Sequence, residues 1–453
     1  MKKTRAVKKE KLVKQKIPKT LSLAELNRLE EKRQQSFLTL IASENYVSKK
    51  VREAMSSVFA NKYSEGYPGK RYYPGNEIVD QMETRVQNLA REVFGLKEDE
   101  WHVNVQPASG SGANFASYYG FINYIRLRLE SERNEKLSFH EAAQKYSFLG
   151  MKLAHGGHLT HGHPINATGT IFKFAQYGTD AEGMLDMNEV VKLAREHQPK
   201  LIVWGITAYP RKPDFARFKE IARSVGALFM VDMAHVAGLV ASGVHENPFL
   251  YADIVTTTTH KSLRGPRGAM IFVRKKIGFQ NKDPKRGVVS LADQIDRAVF
   301  PGLQGGPHDH QTYAIGVALE EALKPEFKKY GEQIVKNAKA LAEELVRRGI
   351  TLMSGGTDNH LMLIDLRSLG ISGKEAEERL VGVGITANRN TVPGDASAFN
   401  PSGIRIGTPA VTTRGMKEKE MKVLAEVIAG VLTRNELSAM SKKVKALCGK
   451  FRA

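Results

Sequence analysis

The strongest constraint on the fold is a series of short apolar runs separated by helix-length stretches. Leu201-Ile202-Val203-Trp204 is followed by Ala227-Leu228-Phe229-Met230-Val231, then by Asp253-Ile254-Val255-Thr256-Thr257-Thr258-Thr259 and by Gly268-Ala269-Met270-Ile271-Phe272-Val273. None of these runs alternates apolar with polar residues, so each reads as a strand buried on both faces. The stretches between them, such as Ala216 to Ser224, supply the crossovers that parallel strands need. The expected fold class is therefore α/β, a largely parallel sheet with helices on both faces. A long helical region, about Ala314 to Arg348, leads to a second α/β segment with strands over His360–Leu366 and Gly403–Ile406. Order is expected to begin near Leu21, where Ser22 and Glu25 have capping-box spacing.

The chain carries 68 basic and 48 acidic residues, a net charge of +20. Residues 1–20 hold nine of the basic residues and one acid, Glu10, which leaves +12 for the rest. That segment has no apolar core for a secretory signal, and with one arginine and no serine it is unlike a mitochondrial leader. It reads as a disordered, solvated basic tail or as an electrostatic arm for a polyanion. Zinc-finger spacing and RNP-type aromatic patterns are absent, so no nucleic-acid partner is expected beyond residues 1–20. Lys442, Lys443, Lys445, Lys450 and Arg452 are expected to decorate a terminal helix. The single cysteine, Cys448, excludes an internal disulfide. No run of 18 apolar residues is present, so no membrane helix is expected and the cytoplasm is the expected location.

Several constellations carry chemistry. Ser109-Gly110-Ser111-Gly112 precedes a helix expected from Asn114 onward, and reads either as an anion site at a helix N-terminus or as a flexible capping loop. It is not a Walker loop, because no Gly-Lys pair here is followed by Ser or Thr. Asp232 closes a strand, where open sheets place functional acids, although it could equally cap the next turn. Lys261 follows the next strand, and the spacing from Asp232 leaves room for one crossover, so both can face one ligand. Desolvation would make such a lysine a Schiff-base nucleophile. A phosphate loop, a buried Asp and a nucleophilic Lys are what pyridoxal phosphate requires, the Asp keeping the pyridine nitrogen protonated. His155, His158, His161 and His163 have metal-like composition, but the glycines among them and the missing cysteines argue for an imidazole lying on a cofactor ring; no metal is expected. Arg405, in an apolar strand, needs an anion, either a substrate carboxylate or a structural partner. Lys62 to Tyr73 is too rich in aromatics, glycines and charge for a core element and reads as a binding loop.

Taken together, the chain resembles the serine hydroxymethyltransferases, pyridoxal phosphate enzymes of fold type I. The matching stretches run from about Leu38 to Arg414 and include Leu40–Asn45, Tyr63–Tyr73, Ala154–Gly162, Val231–Gly238 and Thr256–Lys261 with Gly265-Pro266-Arg267-Gly268. Pro301–Pro307 and Ser354–His360 complete the set. The resemblance implies a large domain with a mainly parallel seven-stranded sheet and a smaller C-terminal α/β domain. Residues 1–20 would be the tail, 21–50 an N-terminal arm, 51–318 the cofactor-binding domain with an insertion at about 122–146, and 319–453 the small domain.

The implied reaction is reversible conversion of L-serine and tetrahydrofolate to glycine and 5,10-methylenetetrahydrofolate; a folate-independent β-hydroxy-amino-acid aldolase is the alternative. By resemblance, Lys261 is the aldimine lysine, Asp232 pairs with the ring nitrogen and His158 stacks on the ring. Ser109, Gly110, Ser111 and His260 hold the phosphate, while Tyr63, Gly305 and Gly306 reach it from a partner subunit. Thr207 and His235 face the phenolic oxygen. Ser43 and Arg405 hold the substrate carboxylate. Glu65, also from the partner, is the acid–base residue; Tyr73 lines the reacting centre and Arg267 supports the site. Leu153, Gly157, Leu159 and Asn390 resemble folate-contacting positions. A homodimer or dimer of dimers with shared sites follows. The chain departs from the family at Thr207, where serine is usual, at Ala108 and Gly112 in the phosphate loop, and at the charged insertion, about twenty residues longer than the usual turn.

Overall fold

A computed structural model describes residues 20–395 and 400–453. The expected basic tail, apart from Thr20, lies outside the described residues. Seven strands form the main sheet: β1 (Trp101–Asn104), β2 (Ser147–Met151), β3 (Lys173–Tyr177), β4 (Leu201–Gly205), β5 (Leu228–Asp232), β6 (Ile254–Thr258) and β7 (Ala269–Arg274). Their order is β1-β7-β6-β5-β4-β2-β3. The strands from β3 to β6 are parallel, with Trp204 opposite Val231 and Val231 opposite Val255. β7 runs antiparallel to both β6 and β1.

The absence of alternation in these strands has the expected cause. Successive side chains point to opposite faces of a strand, and both faces are covered. Leu201, Val203, Met230 and Ile254 enter one core, against the helix Gly110–Arg133. Ile202, Trp204, Phe229, Val231 and Val255 enter the other, with Phe215 and Phe218 of the helix Phe215–Ser224.

A second sheet contains β8 (Thr351–Leu352), β9 (Leu361–Asp365), β10 (Asn388–Asn390) and β11 (Gly403–Gly407), antiparallel in the order β8-β9-β11-β10. It packs in its own apolar cluster with the helices Pro325–Arg347 and Glu418–Arg434. The segment Leu38–Thr39 pairs in parallel with Ile385–Thr386, and Gly407 donates its N–H to the carbonyl of Leu40 at 2.7 Å, so the N-terminal arm is stitched to this second unit.

Three local expectations need adjustment. The helix expected from Asn114 starts at Gly110, because Ser109 caps it by accepting the N–H of Gly112 at 3.1 Å. The long helical region is two helices, Asp309–Ala322 and Pro325–Arg347, since proline lacks an N–H and opens a new helix rather than continuing one. The insertion is a helical hairpin. The first helix runs on to Arg133 and ends at Asn134, which has a left-handed backbone (φ 55°); Ser138 and Glu141 then form a capping box for Phe139–Lys145. The ring of Phe139 stacks on Tyr119 at 4.4 Å, and Arg126 donates to the carbonyl of Leu137 at 2.8 Å, so the hairpin folds back on its own helix.

The Ser22–Glu25 capping box opens the helix Leu23–Ser36 as expected. The Lys442 to Lys450 cluster lies on the helix Leu437–Lys450. No helix among the described residues is long and apolar enough to cross a membrane.

Candidate active site

The C-terminal ends of the parallel strands gather the polar residues. Asp232 ends β5, and Lys261 lies three residues beyond β6, the neighbouring parallel strand. The Asp232 carboxylate accepts hydrogen bonds from Asn114 Nδ2 (2.8 Å) and His161 Nε2 (3.2 Å) at one oxygen, and from the Ala234 N–H (3.0 Å) at the other. Burial acts to raise its pKa, but His161, His158 and Lys261 outweigh it and hold the carboxyl well below the usual carboxylate range. The group is an anion sealed among donors.

His161 fixes this arrangement. Its Nδ1 accepts the His158 N–H at 3.1 Å, so Nε2 carries the proton directed at Asp232. The close approach depends on Gly205, where a Cβ would stand 2.8 Å from Asp232 Cβ and against the His161 ring. His158 Nδ1 lies 2.8 Å from Thr160 Oγ1, which accepts from Asn114 Nδ2, also at 2.8 Å. Burial, with His161, lowers the pKa of His158 to about 4, so this imidazole is neutral at physiological pH.

Lys261 makes no side-chain hydrogen bond among the described residues. Burial lowers its pKa to about 8; Asp232 opposes the change, whereas Arg405 and Arg267 add to it. Asn45 holds the backbone here, donating to the carbonyl of Lys261 at 3.0 Å and to Tyr330 Oη at 2.8 Å, while Thr413 donates to Asn45 Oδ1 at 2.7 Å. His260 is partly buried and its Nδ1 has no partner among the described residues; burial lowers its pKa to about 3, with Arg267 and Lys261 contributing. Arg267 itself is exposed.

Ser109, Gly110 and Ser111 form the first turn of their helix, and a Cβ at Gly110 would stand 2.6 Å from Thr258 Cγ2. Gln304 fastens this loop, accepting the Ala108 N–H and donating to the carbonyl of Gln106, each at 3.0 Å.

Arg405 comes from β11 of the second sheet and is buried, which lowers its pKa to about 10. It donates to the carbonyl of Thr207 (2.6 Å), Asn388 Oδ1 (3.0 Å) and Ser43 Oγ (3.5 Å). All three acceptors are neutral, and no carboxylate among the described residues pairs with it. The structural ion pair considered from the sequence is not formed among the described residues. Thr207 donates its hydroxyl to the carbonyl of Gly157 at 2.8 Å, so the serine-to-threonine departure leaves that hydroxyl bound to the histidine-bearing loop.

Thr391, next to Asn390, donates to the carbonyl of Ala154 at 3.0 Å, which brings the Leu153 turn and the end of β10 together. Gly157 is buried, with no room for a Cβ against the carbonyl of Met151, while Leu159 is partly exposed.

The remaining expected residues form a separate group. Tyr63 Oη donates to Glu65 Oε1 at 3.4 Å, and the Tyr63 and Tyr73 rings meet edge to face at 5.1 Å. Cβ positions on Gly305 and Gly306 would lie 3.1 Å from Glu65 Oε1 and 3.2 Å from the Tyr63 ring. Nothing among the described residues hydrogen-bonds this group to Lys261, Asp232 or Arg405. Within it Gly66-Tyr67 pairs antiparallel with Lys70-Arg71, and Arg71 pins this short hairpin by pairing with Asp80 at 2.8 Å and with buried Glu83 at 2.6 Å.

Sequence reasoning assigned no role to His161, Asn114, Asn45 or Gln304. The signal for His161 was its place in the glycine-flanked histidine loop; the others act through contacts far apart in the chain.

The family model described as serine hydroxymethyltransferase matches residues 19–428. A serine hydroxymethyltransferase of Desulfotalea psychrophila is 49% identical over 429 residues, covering 94% of this chain and 92% of that protein. With an ionised aspartate and a buried arginine both acting on a desolvated lysine, these matches establish that the chain belongs to the serine hydroxymethyltransferase family.

Proposed function

We propose that the chain interconverts L-serine plus tetrahydrofolate with glycine plus 5,10-methylenetetrahydrofolate, using pyridoxal 5'-phosphate. The observation that carries this reading is Arg405, a buried guanidinium without an anionic partner among the described residues, which acts on the Lys261 amine together with Asp232. The polar groups fit the cofactor. The helix N-terminus at Ser109, Gly110 and Ser111, with His260, would hold the phosphate, Asp232 the ring nitrogen, Lys261 the aldehyde carbon, His158 the ring face, and Thr207 and His235 the phenolic oxygen. The unpartnered His260 Nδ1 and the close packing at Gly110 both suit a ligand approaching that turn. When bound, the cofactor supplies a conjugated ring that takes up the electrons released as a bond to the amino-acid α-carbon breaks.

The chain's own residues supply position and charge. Arg405, with Ser43, binds the substrate carboxylate and fixes the orientation of the α-carbon. Asp232, kept ionised by His161, His158 and Lys261, would hold the ring nitrogen protonated. Glu65 moves the proton of the substrate hydroxyl, with Tyr73 beside it and Arg267 supporting the charge balance. Leu153, Gly157, Leu159 and Asn390 would contact the folate.

The Glu65 group acts across a subunit boundary in this reading, as a homodimer or dimer of dimers. Support comes from exposed apolar surface: Tyr63, Tyr72 and Tyr73 are open, and the 14-residue helix Leu23–Ser36 buries none of its side chains. A helix of that length is marginal in water without a partner surface. Residues 21–50 then serve as an arm, 51–318 as the cofactor-binding domain and 319–453 as the small domain; the separate apolar clusters support two units, with Leu319, Ala322 and Phe327 still packed in the first and Ala338 and Leu341 in the second. The cytoplasm is the proposed location.

Serine cleavage measured with and without tetrahydrofolate tests the function. Glycine formation that requires folate is expected; an equal rate without it would favour a folate-independent aldolase.

A further inference from the structure

His235 and His360 form a buried pair that the reaction, as described, uses only in part. His235 lies in the turn after β5, and His360 immediately precedes β9 of the second sheet. His235 Nδ1 is 3.3 Å from His360 Nε2, and the rings stack at 5.6 Å. Exposure is 2% for His235 and zero for His360. The segment carrying His360 is docked rigidly: Asp358 accepts from Arg211 Nη1 at 2.9 Å, Asn359 donates to the carbonyl of Tyr209 at 3.2 Å, and the carbonyl of His360 accepts the Thr408 N–H at 3.0 Å.

Both imidazoles are neutral. Burial, with Lys261 and Arg405, holds the His235 pKa well below the usual histidine range, and burial, with Arg405, lowers that of His360 to about 3. Two neutral rings sharing one hydrogen bond have one proton between them, and the direction decides what His235 presents to the cleft. If His235 donated, His360 would carry its proton on Nδ1, which is buried without a partner among the described residues. An orphaned buried N–H is rarer and more costly than an under-used acceptor. The favoured arrangement has His360 Nε2–H donating to His235 Nδ1. His235 then carries its own proton on Nε2, which makes no hydrogen bond among the described residues and is not fully sealed.

We propose that His360 is a positioning residue: by donating to His235 Nδ1 it fixes His235 as the Nε2–H tautomer, a hydrogen-bond donor toward the phenolic oxygen of the cofactor. The second structural unit thereby sets the donor character of a cofactor-facing residue in the first. This proposal rests on the cofactor placement given above, so its test has an arm that does not.

That arm uses the apoprotein. With 15N-labelled histidine, and His235 assigned from its absence in His235→Leu, the ring nitrogen shifts report the tautomer. The wild-type apoprotein should show Nε2–H at His235; His360→Gln, whose side-chain amide can still donate, should preserve it, and His360→Leu should lose it. The second arm measures pyridoxal phosphate affinity by fluorescence titration. His360→Leu should weaken binding about tenfold, the value of one buried hydrogen bond, while His360→Gln stays within about threefold of wild type. The double variant His235→Leu/His360→Leu should bind no more weakly than His235→Leu alone. Urea unfolding of each apoprotein confirms that the variants are folded.

An Nδ1–H tautomer in the wild type, or an unchanged His235 tautomer in folded His360→Leu, would overturn the proposal. So would additive losses in the double variant. A wild-type chain that shows the Nε2–H tautomer yet does not bind pyridoxal phosphate would refute the function instead.

Discussion

Replacing Arg405 with methionine should have opposite effects on substrate binding and on stability. Burial lowers the pKa of this guanidinium well below the usual arginine range, to about 10. A cation whose folded-state pKa is depressed destabilises the fold at any pH below that value, and the penalty fades as pH rises above about 10 toward the usual arginine range. At neutral pH the penalty is about 3 kcal/mol. Against it stand three hydrogen bonds to neutral oxygens, worth about 1 kcal/mol each. The two contributions nearly cancel, so Arg405→Met apoprotein should unfold in urea within about 1–2 kcal/mol of wild type. Serine binding has no such compensation. Losing one partner of a buried, hydrogen-bonded charge pair costs about 2–5 kcal/mol, so kcat/KM for serine should fall by about 30- to 5,000-fold. Arg405→Lys should recover only part of the loss, because an ammonium lacks the bidentate fork. If kcat/KM for serine in Arg405→Met stays within about threefold of wild type, or if the apoprotein loses as much as about 4 kcal/mol, Arg405 is a structural residue and the carboxylate binds elsewhere.

Three further outcomes follow from the geometry. Cofactor capture needs neutral Lys261, whose pKa is lowered to about 8, so the second-order rate of pyridoxal phosphate binding to the apoprotein should rise with pH and level off above about 8; a rate still climbing toward 10 would contradict the burial argument. Arg71→Ala leaves Glu83 buried without its cation and should cost about 3–5 kcal/mol of stability in urea unfolding, whereas Arg71→Met/Glu83→Leu should recover most of it. Glu65→Gln should lower folate-dependent turnover at least about a hundredfold, and near wild-type turnover would remove Glu65 from the acid–base role.

What could be read from the sequence was whatever depends on neighbours in the chain. The strands over 201–205, 228–232 and 254–258 were legible because burial on both faces produces unbroken apolar runs. Asp232 and Lys261 were legible as a pair because one crossover separates parallel neighbours. The start of the helix at Gly110 was hidden, because glycine's poor helix propensity masks a turn held by the Ser109 cap and by packing on Thr258. The partners of Arg405 were hidden for a different reason. Ser43, Thr207 and Asn388 come from the arm, the segment after β4 and β10, and no local pattern records that meeting. His161 was visible as one histidine among four, but its bond to Asp232 spans 71 residues and exists only because Gly205 leaves space.

The central claim is that this chain holds pyridoxal phosphate on Lys261, above Asp232. Borohydride reduction of the cofactor-loaded protein, followed by digestion and peptide mapping, tests it most directly. The account predicts a single phosphopyridoxyl label in the peptide containing Thr258-Thr259-His260-Lys261. A label on any other lysine, or none at all, would contradict it.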